Sequence, residues 1–245
     1  MNLLLLEPDE RVLGPRDVRT RHIRRVLRLG PGDRVRAGEI GGRIGIARIV
    51  RVAAGGLELD FEPSLDPPAL PPVEILLGHP RPIVLRRLLR DLAAIGPARV
   101  LVVATELGER SYFDSTLWDD TRTPMLEGAS QGGSTLVPQL ERARSLETAV
   151  SLLRSPLSRR LVLHQREGAA HFGRESVSAG ARWAAVAVGS ERGWSDREVE
   201  LLLAHGFSPC TLGPRTLRTE TAAVIAAWQA VSWYHGRHEG STAGD

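Results

Sequence analysis

The chain has 245 residues, of which 42% are hydrophobic, so it can bury the core of one large domain or of two smaller ones. Its formal net charge is +3 and its pI about 9.9, and all 32 basic residues are arginine, which excludes Schiff-base chemistry and a lysine general base. The single cysteine, Cys210, excludes an internal disulfide and a cysteine-based metal site.

Membrane insertion is not expected from the sequence. No apolar run approaches the roughly 20 residues that a helix needs to span a bilayer. The apolar run at residues 3–6 is too short for the core of a signal peptide and follows no basic residue. We therefore expect a soluble, cytoplasmic protein. We expect no metal site, because His235 and His238 lack partners of metal-binding type.

The first part of the chain is expected to be a small β-rich domain spanning residues 1–66. Alternation of apolar and polar residues predicts strands over 35–37, 43–52 and 57–61. A helical spacing of Val18, Ile23, Val26 and Leu27 precedes these strands. Five prolines within residues 63–72 predict a stiff linker, so a domain boundary is expected there.

Arginine is concentrated in this first domain. Nine arginines lie between Arg11 and Arg36, against only Asp17 and Asp33. One interpretation is a solvated charged face that pairs locally with Asp17, Asp33 or Glu39. The other is a phosphate-binding patch, because clustered arginines supply the electrostatic part of nucleic-acid binding.

The second part, residues 73–240, alternates strands with helices, which predicts a parallel α/β sheet. Strands are expected at 73–77, 99–104, 161–164 and 185–188, with another after Gly206. Pro82 begins a helix that Gly96 ends, and Pro124 must begin or break a helix within 117–131. Further helices are expected at 145–154, after the capping box of Ser195 and Glu198, and at 219–235, followed by a frayed tail.

Two glycine-containing turns follow strands of this predicted sheet. One reads Gly189-Ser190-Glu191-Arg192-Gly193, and the other runs from Leu212 to Ala222. A glycine at a strand end often does no more than end the strand, but parallel sheets bind ligands at this edge. Together, in this order, the turns resemble the ribosomal RNA small subunit methyltransferase E family. That family has Gly-Pro-Glu-Gly-Gly at the first turn and Leu-Gly-x-x-x-Leu-Arg-x-Glu-Thr-Ala at the second.

The resemblance implies a fold, a cofactor and an assembly. Members are uridine-N3 methyltransferases of the SPOUT superfamily, so residues 73–240 are expected to form a trefoil-knotted SPOUT methyltransferase domain. Residues 1–66 are expected to form a PUA-like β-barrel domain, and the protein to be a homodimer. The cofactor is S-adenosyl-L-methionine, and the implied cofactor-binding residues are Leu163, His164, Gly189, Ser190, Glu191, Gly193, Leu212, Gly213, Leu217, Arg218 and Thr219.

A second similarity lies in the first domain. Residues 22–28 resemble the His-x-x-x-Val-Leu-Arg signature of the same family's PUA-like domain, which favours the phosphate-binding interpretation of the arginine cluster. The implied RNA-binding residues are Arg21, His22, Arg24, Arg25 and Arg28. The implied partner is ribosomal RNA or the small ribosomal subunit.

Methylation of uridine N3 requires removal of the N–H proton and in-line placement of the nitrogen and the methyl group. Arg218 could stabilise the developing uracil anion or hold a phosphate. Glu220 could act as the base or orient the uracil edge, or it could be a favourable carboxylate in the first turn of a helix. Glu191 is an equal candidate for the base, so the assignment stays open.

The chain departs from the family pattern at three places. Ser190 and Arg192 replace the proline and a glycine of the first turn, and Ser130 and Ser134 stand where a glutamate and an arginine are usual. The family's Glu-Leu-Gly is Ala94-Ile95-Gly96. Two alternatives therefore stay open: a related methyltransferase with another target nucleotide, or an RNA-binding protein of this fold that has lost catalysis.

Overall fold

The structure is a computed structural model that describes residues 2–53, 55–154, 158–165, 169–172 and 183–238. It contains two β-sheets, one formed by the first 65 residues and one by the remainder. Among the described residues, no helix is both long and apolar enough to cross a membrane.

The first sheet has five strands in the order β1-β3-β4-β5-β2. Its strands are β1 (Leu4–Leu6), β2 (Val12–Leu13), β3 (Arg34–Glu39), β4 (Ile44–Ala53) and β5 (Gly56–Leu65). The ladder between β1 and β3 is parallel and the others are antiparallel, so the sheet is mixed. All five strands contribute apolar side chains to one core. The predicted strands at 35–37, 43–52 and 57–61 correspond to β3, β4 and β5, of which β5 is longer than expected, whereas β1 and β2 were not predicted.

The helix before β3 differs from its predicted form. It begins as α1 (Val18–Arg21) and continues as one π-helical segment (His22–Leu27) that ends at Arg28, whose φ is +57°. Only Ile23 of the predicted apolar face is buried, while Val18, Val26 and Leu27 are exposed. The wider π-helical turn moves side chains off the α-helical stripe, because its hydrogen bonds run from residue i to i+5.

The second sheet has seven parallel strands in the order β10-β12-β9-β11-β6-β7-β8. Its strands are β6 (Val73–Gly78), β7 (Arg99–Val103), β8 (Gln139–Ala143), β9 (Ser158–Leu163), β10 (Ala170–His171), β11 (Trp183–Val188) and β12 (Ser208–Thr211). The chain order reverses between β6 and β11, so ligand-binding loops are expected outside their carboxyl ends. The predicted parallel α/β sheet is confirmed.

Helices cover both faces of this sheet. They are α2 (Pro82–Ile95), α3 (Arg110–Phe113), α4 (Arg122–Gly132), α5 (Leu146–Ser151), α6 (Asp196–Ala204) and α7 (Thr219–His238), with a 3-10 turn at Thr116–Asp120. The side chains of α2 and α7 share one core, and those of α5 and α6 share the other. The predicted capping box of Ser195 and Glu198 is present, and Gly96 ends α2 with a φ of +80°.

Two predicted helices end elsewhere. Helix α5 ends at Ser151 instead of residue 154, and α7 continues to His238 through part of the expected tail. The rest of that tail, residues 239–245, lies outside the described residues. Helix α7 buries small alanines and Val231, whereas Trp228 is 60% exposed.

The two sheets are joined through α4. The main-chain N–H groups of Asn2 and Leu3 donate to the carbonyl of Ser130, at 3.2 and 3.1 Å, and the Ser130 hydroxyl donates to the Leu3 carbonyl at 2.7 Å. The Thr135 hydroxyl donates to the carbonyl of Gly42 at 2.6 Å. Ser130, where the family usually has a glutamate, therefore lies at the contact between the two sheets.

Candidate functional site

A cavity of about 760 Å³ lies at the carboxyl edge of β9, β11 and β12. Its walls are the residues after these three strands, together with the first turns of α2 and α7. This is the edge at which a doubly wound parallel sheet collects its loops, so the topology brings distant segments of the chain to one place. The volume is within the range of cofactor sites.

The turn after β11 has a tight backbone. The N–H of Gly193 donates to the carbonyl of Ser190 at 2.9 Å, and Gly193 has a φ of +76°. A methyl carbon on Gly189 would lie 2.7 Å from the carbonyl carbon of Gly193, so a side chain there would open the turn. The turn is therefore closed without the proline of the family motif.

Glu191 of this turn lies against the start of α2. Its Oε1 accepts a hydrogen bond of 2.8 Å from the backbone N–H of Arg81, the residue that precedes Pro82 and caps α2. A carboxylate at this place interacts favourably with the positive end of the helix dipole. The contact joins two segments 110 residues apart in the sequence.

The turn after β12 is held by the Thr211 hydroxyl, which donates to the carbonyl of Gly213 at 2.8 Å and accepts from its N–H at 3.1 Å. Gly213 has a φ of +140°, a conformation that favours glycine. Gly213 is the one predicted cofactor residue that does not line the cavity among the described residues. Its conformation directs Leu212 and the following residues towards the cavity.

The other predicted site residues come together. The cavity is lined by Leu163, His164, Gly189, Ser190, Glu191, Gly193, Leu212, Leu217, Arg218 and Thr219, and by Glu220. Thr219 is the first residue of α7 and is buried, whereas Arg218 is exposed and Glu220 half-buried. Within the described part of the chain, the side chains of Arg218 and Glu220 make no hydrogen bond or ion pair, which leaves both groups available to a substrate.

Several lining residues were not predicted, namely Arg81, Val84, Gln165, Val188, Arg192, Trp194, Cys210, Thr211, Arg215, Thr216 and Ala222. Arg81 follows β6, which ends at the same sheet edge, so strand polarity could have indicated it. Cys210 is a buried residue that contributes to the wall. Gln165 accepts a hydrogen bond of 3.5 Å from the Thr216 hydroxyl, a contact without a local sequence signal.

The predicted RNA-binding residues form a second surface on α1 and the π-helical segment. Arg21, Arg24, Arg25 and Arg28 are exposed, and His22 is half-buried. The acids considered as their local partners are engaged elsewhere. Asp17 pairs with Arg19, Glu39 pairs with Arg11, and Asp33 accepts from the N–H of Gly30.

The four exposed arginines consequently make no ion pair among the described residues. Unpaired guanidinium groups on one surface are suited to phosphate binding. No group of three or more His, Cys, Asp or Glu side chains that could hold a metal ion is found in the described ranges.

Comparison with known proteins agrees with this arrangement. The family model described as RNA methyltransferase domain matches residues 68–231, and the RNA methyltransferase PUA domain matches residues 17–62. Ribosomal RNA small subunit methyltransferase E of Treponema pallidum is 39% identical over 238 residues, which cover 92% of this chain and 89% of that protein.

Solved structures share the fold. A probable rRNA methyltransferase of Porphyromonas gingivalis superposes with a TM-score of 0.75 at 23% identity, covering 96% of this chain and 98% of the other. Ribosomal RNA small subunit methyltransferase E of Neisseria gonorrhoeae, whose structure contains S-adenosyl methionine, superposes with a TM-score of 0.74 at 21% identity and the same coverage.

Proposed function

This chain belongs to the ribosomal RNA small subunit methyltransferase E family, and from this membership we propose that it transfers a methyl group from S-adenosyl-L-methionine to N3 of a uridine in 16S ribosomal RNA. The observation that carries the proposal is the 760 Å³ cavity, because both motif turns and the start of α7 line it.

The cavity is suited to the cofactor. Leu163, Leu212 and Leu217 supply apolar surface for an adenine ring, and the two tight turns supply backbone donors and acceptors beside it. Both glycine turns keep their backbone accessible, since the conformations of Gly193 and Gly213 exclude most side chains. When bound, S-adenosylmethionine supplies an electrophilic methyl group.

The protein's own residues then act on the uridine. A base must hold the N3 proton as the nitrogen attacks, and Glu220 is half-buried in the cavity without another partner among the described residues. Arg218, adjacent to Thr219 in the same wall, stabilises the negative charge that develops on the uracil or holds a phosphate. Glu191 remains a candidate for the base, although its carboxylate already accepts from Arg81.

In this proposal, the phosphate backbone of ribosomal RNA is bound by the first domain, through Arg21, His22, Arg24, Arg25 and Arg28. The support for this binding is the exposure of the four arginines and the absence of an ion pair to any of them in the described residues, where only Arg21 has a nearby carboxylate, that of Asp17. The proposal divides the chain into an RNA-binding domain over residues 1–66 and a trefoil-knotted methyltransferase domain over residues 73–240. It also includes a homodimer and a cytoplasmic location, where ribosomal RNA is found.

Cofactor binding tests the proposal first. We expect S-adenosylmethionine to bind with a micromolar dissociation constant, about −7 to −8 kcal/mol, in isothermal titration calorimetry of the purified protein. In a strain lacking the gene, mass spectrometry of 16S ribosomal RNA should show loss of one N3-methyluridine.

The two alternatives give other results in the same experiments. Loss of a different methylated nucleotide would identify a shifted target, which the substitutions at Ser130 and Arg192 would favour. No heat and no thermal shift at millimolar cofactor would reject the methyltransferase and leave an RNA-binding protein of this fold.

A further inference from the structure

Some exposed arginines of the described residues are paired with a carboxylate and others are not. The ion pairs include Arg43–Asp66, Arg48–Asp60, Arg51–Glu58, Arg86–Asp120, Arg90–Glu127, Arg122–Glu7, Arg144–Asp114 and Arg197–Glu106. Such pairs contribute little stability, but they neutralise the guanidinium charge locally. An exposed arginine without such a partner therefore leaves an uncompensated positive charge at the surface.

Four arginines without an ion pair lie at the rim of the 760 Å³ cavity. Arg81, Arg192, Arg215 and Arg218 line it, all four are exposed, and none forms an ion pair within the described residues. The acidic residues in the same wall are Glu191 and Glu220. Because Glu191 is directed to the backbone N–H of Arg81, it is not paired with any of the four guanidinium groups. The rim is consequently electropositive.

The proposed cofactor does not account for this charge. S-adenosylmethionine carries a sulfonium and an ammonium group against one carboxylate, so it is cationic overall, and an excess of arginine would repel it. A concave site of one sign raises the local concentration of ligands of the opposite sign. The charge of the rim therefore fits a polyanion that reaches the cavity beside the cofactor.

Two of these arginines lie on either side of the contact that closes the cavity wall. Arg192 follows Glu191 directly, and the backbone N–H of Arg81 donates to the Glu191 carboxylate, so both arginines adjoin the Glu191 side chain. Arg192 stands where the family motif has glycine, and it adds a guanidinium group to the cavity wall. Arginine holds phosphodiester oxygens through two parallel hydrogen bonds.

We propose that Arg192 and Arg81 bind a phosphodiester of single-stranded RNA next to the target nucleotide, and so position the substrate at the mouth of the cavity. The inference rests on the proposed function, since it takes RNA as the substrate. Arg192 is then a substrate contact at a position where the family motif has glycine. The turn after β11 therefore contributes to recognition of the RNA strand in this protein.

The test compares Arg192→Gln, Arg81→Gln and the double variant with Arg87→Gln. Arg87 is an exposed arginine of α2, the helix that begins directly after Arg81. It makes no ion pair in the described residues and lies outside the cavity. A variant in which Arg21, Arg24, Arg25 and Arg28 are all replaced by glutamine serves as a reference, because it shows how far RNA affinity falls when the contacts of the first domain are lost. Affinity for a 16S ribosomal RNA fragment is measured over a series of salt concentrations, and S-adenosylmethionine affinity by calorimetry.

For Arg192→Gln and Arg81→Gln we expect weaker RNA binding and a salt slope of log K that is smaller by about 0.7 for each contact removed. Cofactor affinity should stay within twofold of the parent, and KM for RNA should rise while the turnover rate changes little. Arg87→Gln should match the parent in every measurement.

Three results would overturn the inference. An unchanged salt slope in the double variant would mean that neither side chain contacts a phosphate. A loss of cofactor affinity with intact RNA binding would assign these arginines to the methionyl carboxylate. If Arg87→Gln weakened RNA binding as much as Arg192→Gln does, the effect would come from the loss of one positive charge and not from a specific contact. A parent protein that binds RNA but not S-adenosylmethionine rejects the proposed function separately, because the RNA salt slopes can still be measured.

Discussion

The carboxylate of Glu191 has a structural partner, which bears on its candidacy as the catalytic base. It accepts from the N–H of Arg81 and so ties the turn after β11 to the start of α2. Its Oε1 is already engaged by this N–H, so the carboxylate is less free to turn towards a substrate proton. Glu220 has no such partner among the described residues, so the geometry favours Glu220 as the base.

Replacing Glu191 by glutamine distinguishes a structural role of its carboxylate, as the acceptor for Arg81, from a role as the catalytic base. A glutamine oxygen can still accept from Arg81, so Glu191→Gln should keep cofactor affinity and most of the turnover rate if the role is positional. Glu191→Ala removes the acceptor and should destabilise the protein by about 1 kcal/mol, as for the loss of a helix cap, and weaken cofactor binding. Stopped-time methylation assays and thermal denaturation of both variants provide the measurements. If Glu191→Gln instead slows methylation by roughly two orders of magnitude, the contribution expected of a general base, Glu191 is the base.

The beginning of α1 is stabilised by an ionic cluster. Arg19 pairs with Glu10 at 2.8 Å and with Asp17 at 2.7 Å, and it donates to the carbonyl of Leu5 at 2.7 Å. Burial by itself raises the pKa of Glu10 and of Asp17. The hydrogen bonds and the charge of Arg19, together with the backbone N–H groups of Glu7 and Arg19, outweigh it and hold both pKa values below their ordinary ones. The cluster therefore connects α1 to β1. The proposed RNA-binding arginines lie on α1 and on the π-helical segment that continues it.

These pKa shifts predict a loss of stability in acid. Carboxyls whose folded pKa is lowered stabilise the fold above their unfolded pKa values, 4.5 and 3.8, and this contribution is lost as the pH falls through the folded values. Arg19→Gln should therefore cost about 2 kcal/mol at pH 7, and the difference from the parent should shrink below about pH 4. Urea denaturation at a series of pH values measures it, with Arg16→Gln as the control. A difference that is constant from pH 7 to pH 3 would contradict the ionic origin.

Helix α7 presents an apolar side chain to solvent. Trp228 is 60% exposed, while Trp233 packs against the core that α2 and α7 share. Ile83 at the start of α2 is also exposed, at 63%. Large exposed apolar side chains of this kind favour pairing with a second copy of the chain.

The proposed homodimer can be tested at Trp228. A buried tryptophan in an interface contributes about 2 kcal/mol or more, so Trp228→Glu should weaken dimerisation by about 30-fold or more. Light scattering over a concentration series gives the dissociation constant. Leu152→Glu, an exposed apolar residue after α5 on the opposite face, is the matched control and should leave the dimer intact. A parent that is monomeric at micromolar concentration would contradict the dimer.

The two sheets behave as one body if the contact through α4 is strong. Besides the bonds of Ser130, the N–H of Gly41 donates to the carbonyl of Thr135 at 2.9 Å. Leu3, Leu5, Ile44 and Ala129 form a small apolar cluster across the contact. Glycine allows the close approach, because a methyl carbon on Gly38 would meet the Thr135 methyl group.

Thr135→Val tests this contact. Valine keeps the methyl group but removes the donor to the Gly42 carbonyl, so we expect a loss of about 1–3 kcal/mol. For a chain of this size that lowers the unfolding midpoint by about 2–4 °C for each kcal/mol. Thr135→Ser keeps the hydroxyl and should recover most of the loss in differential scanning calorimetry. Equal midpoints for parent and Thr135→Val would show that the bond contributes nothing.

Local sequence patterns were enough to predict most elements. Proline at the start and glycine at the end located α2, and Ser145 and the Ser195–Glu198 pair located α5 and α6. Alternation located β3, β4 and β5, and apolar runs located the central strands of the second sheet. The strands β1, β2, β8 and β10 were not predicted. These signals act over a few residues, because capping and turn conformations depend on neighbouring side chains and φ angles. They did not show that residues 22–27 wind as a π-helix, since the helical spacing of their apolar side chains does not report the hydrogen-bond pattern.

Contacts between distant segments could not be predicted in this way. The approach of Arg81 to Glu191, the binding of Leu3 by Ser130 and the exposure of Trp228 depend on strand order and on which helices share a face. By itself, the sequence determined the elements, the motif turns and the residue types at the site. The packing of the two sheets and the parallel strand order determined which of those residues meet, because their contacts join segments more than 100 positions apart, where no local pattern operates.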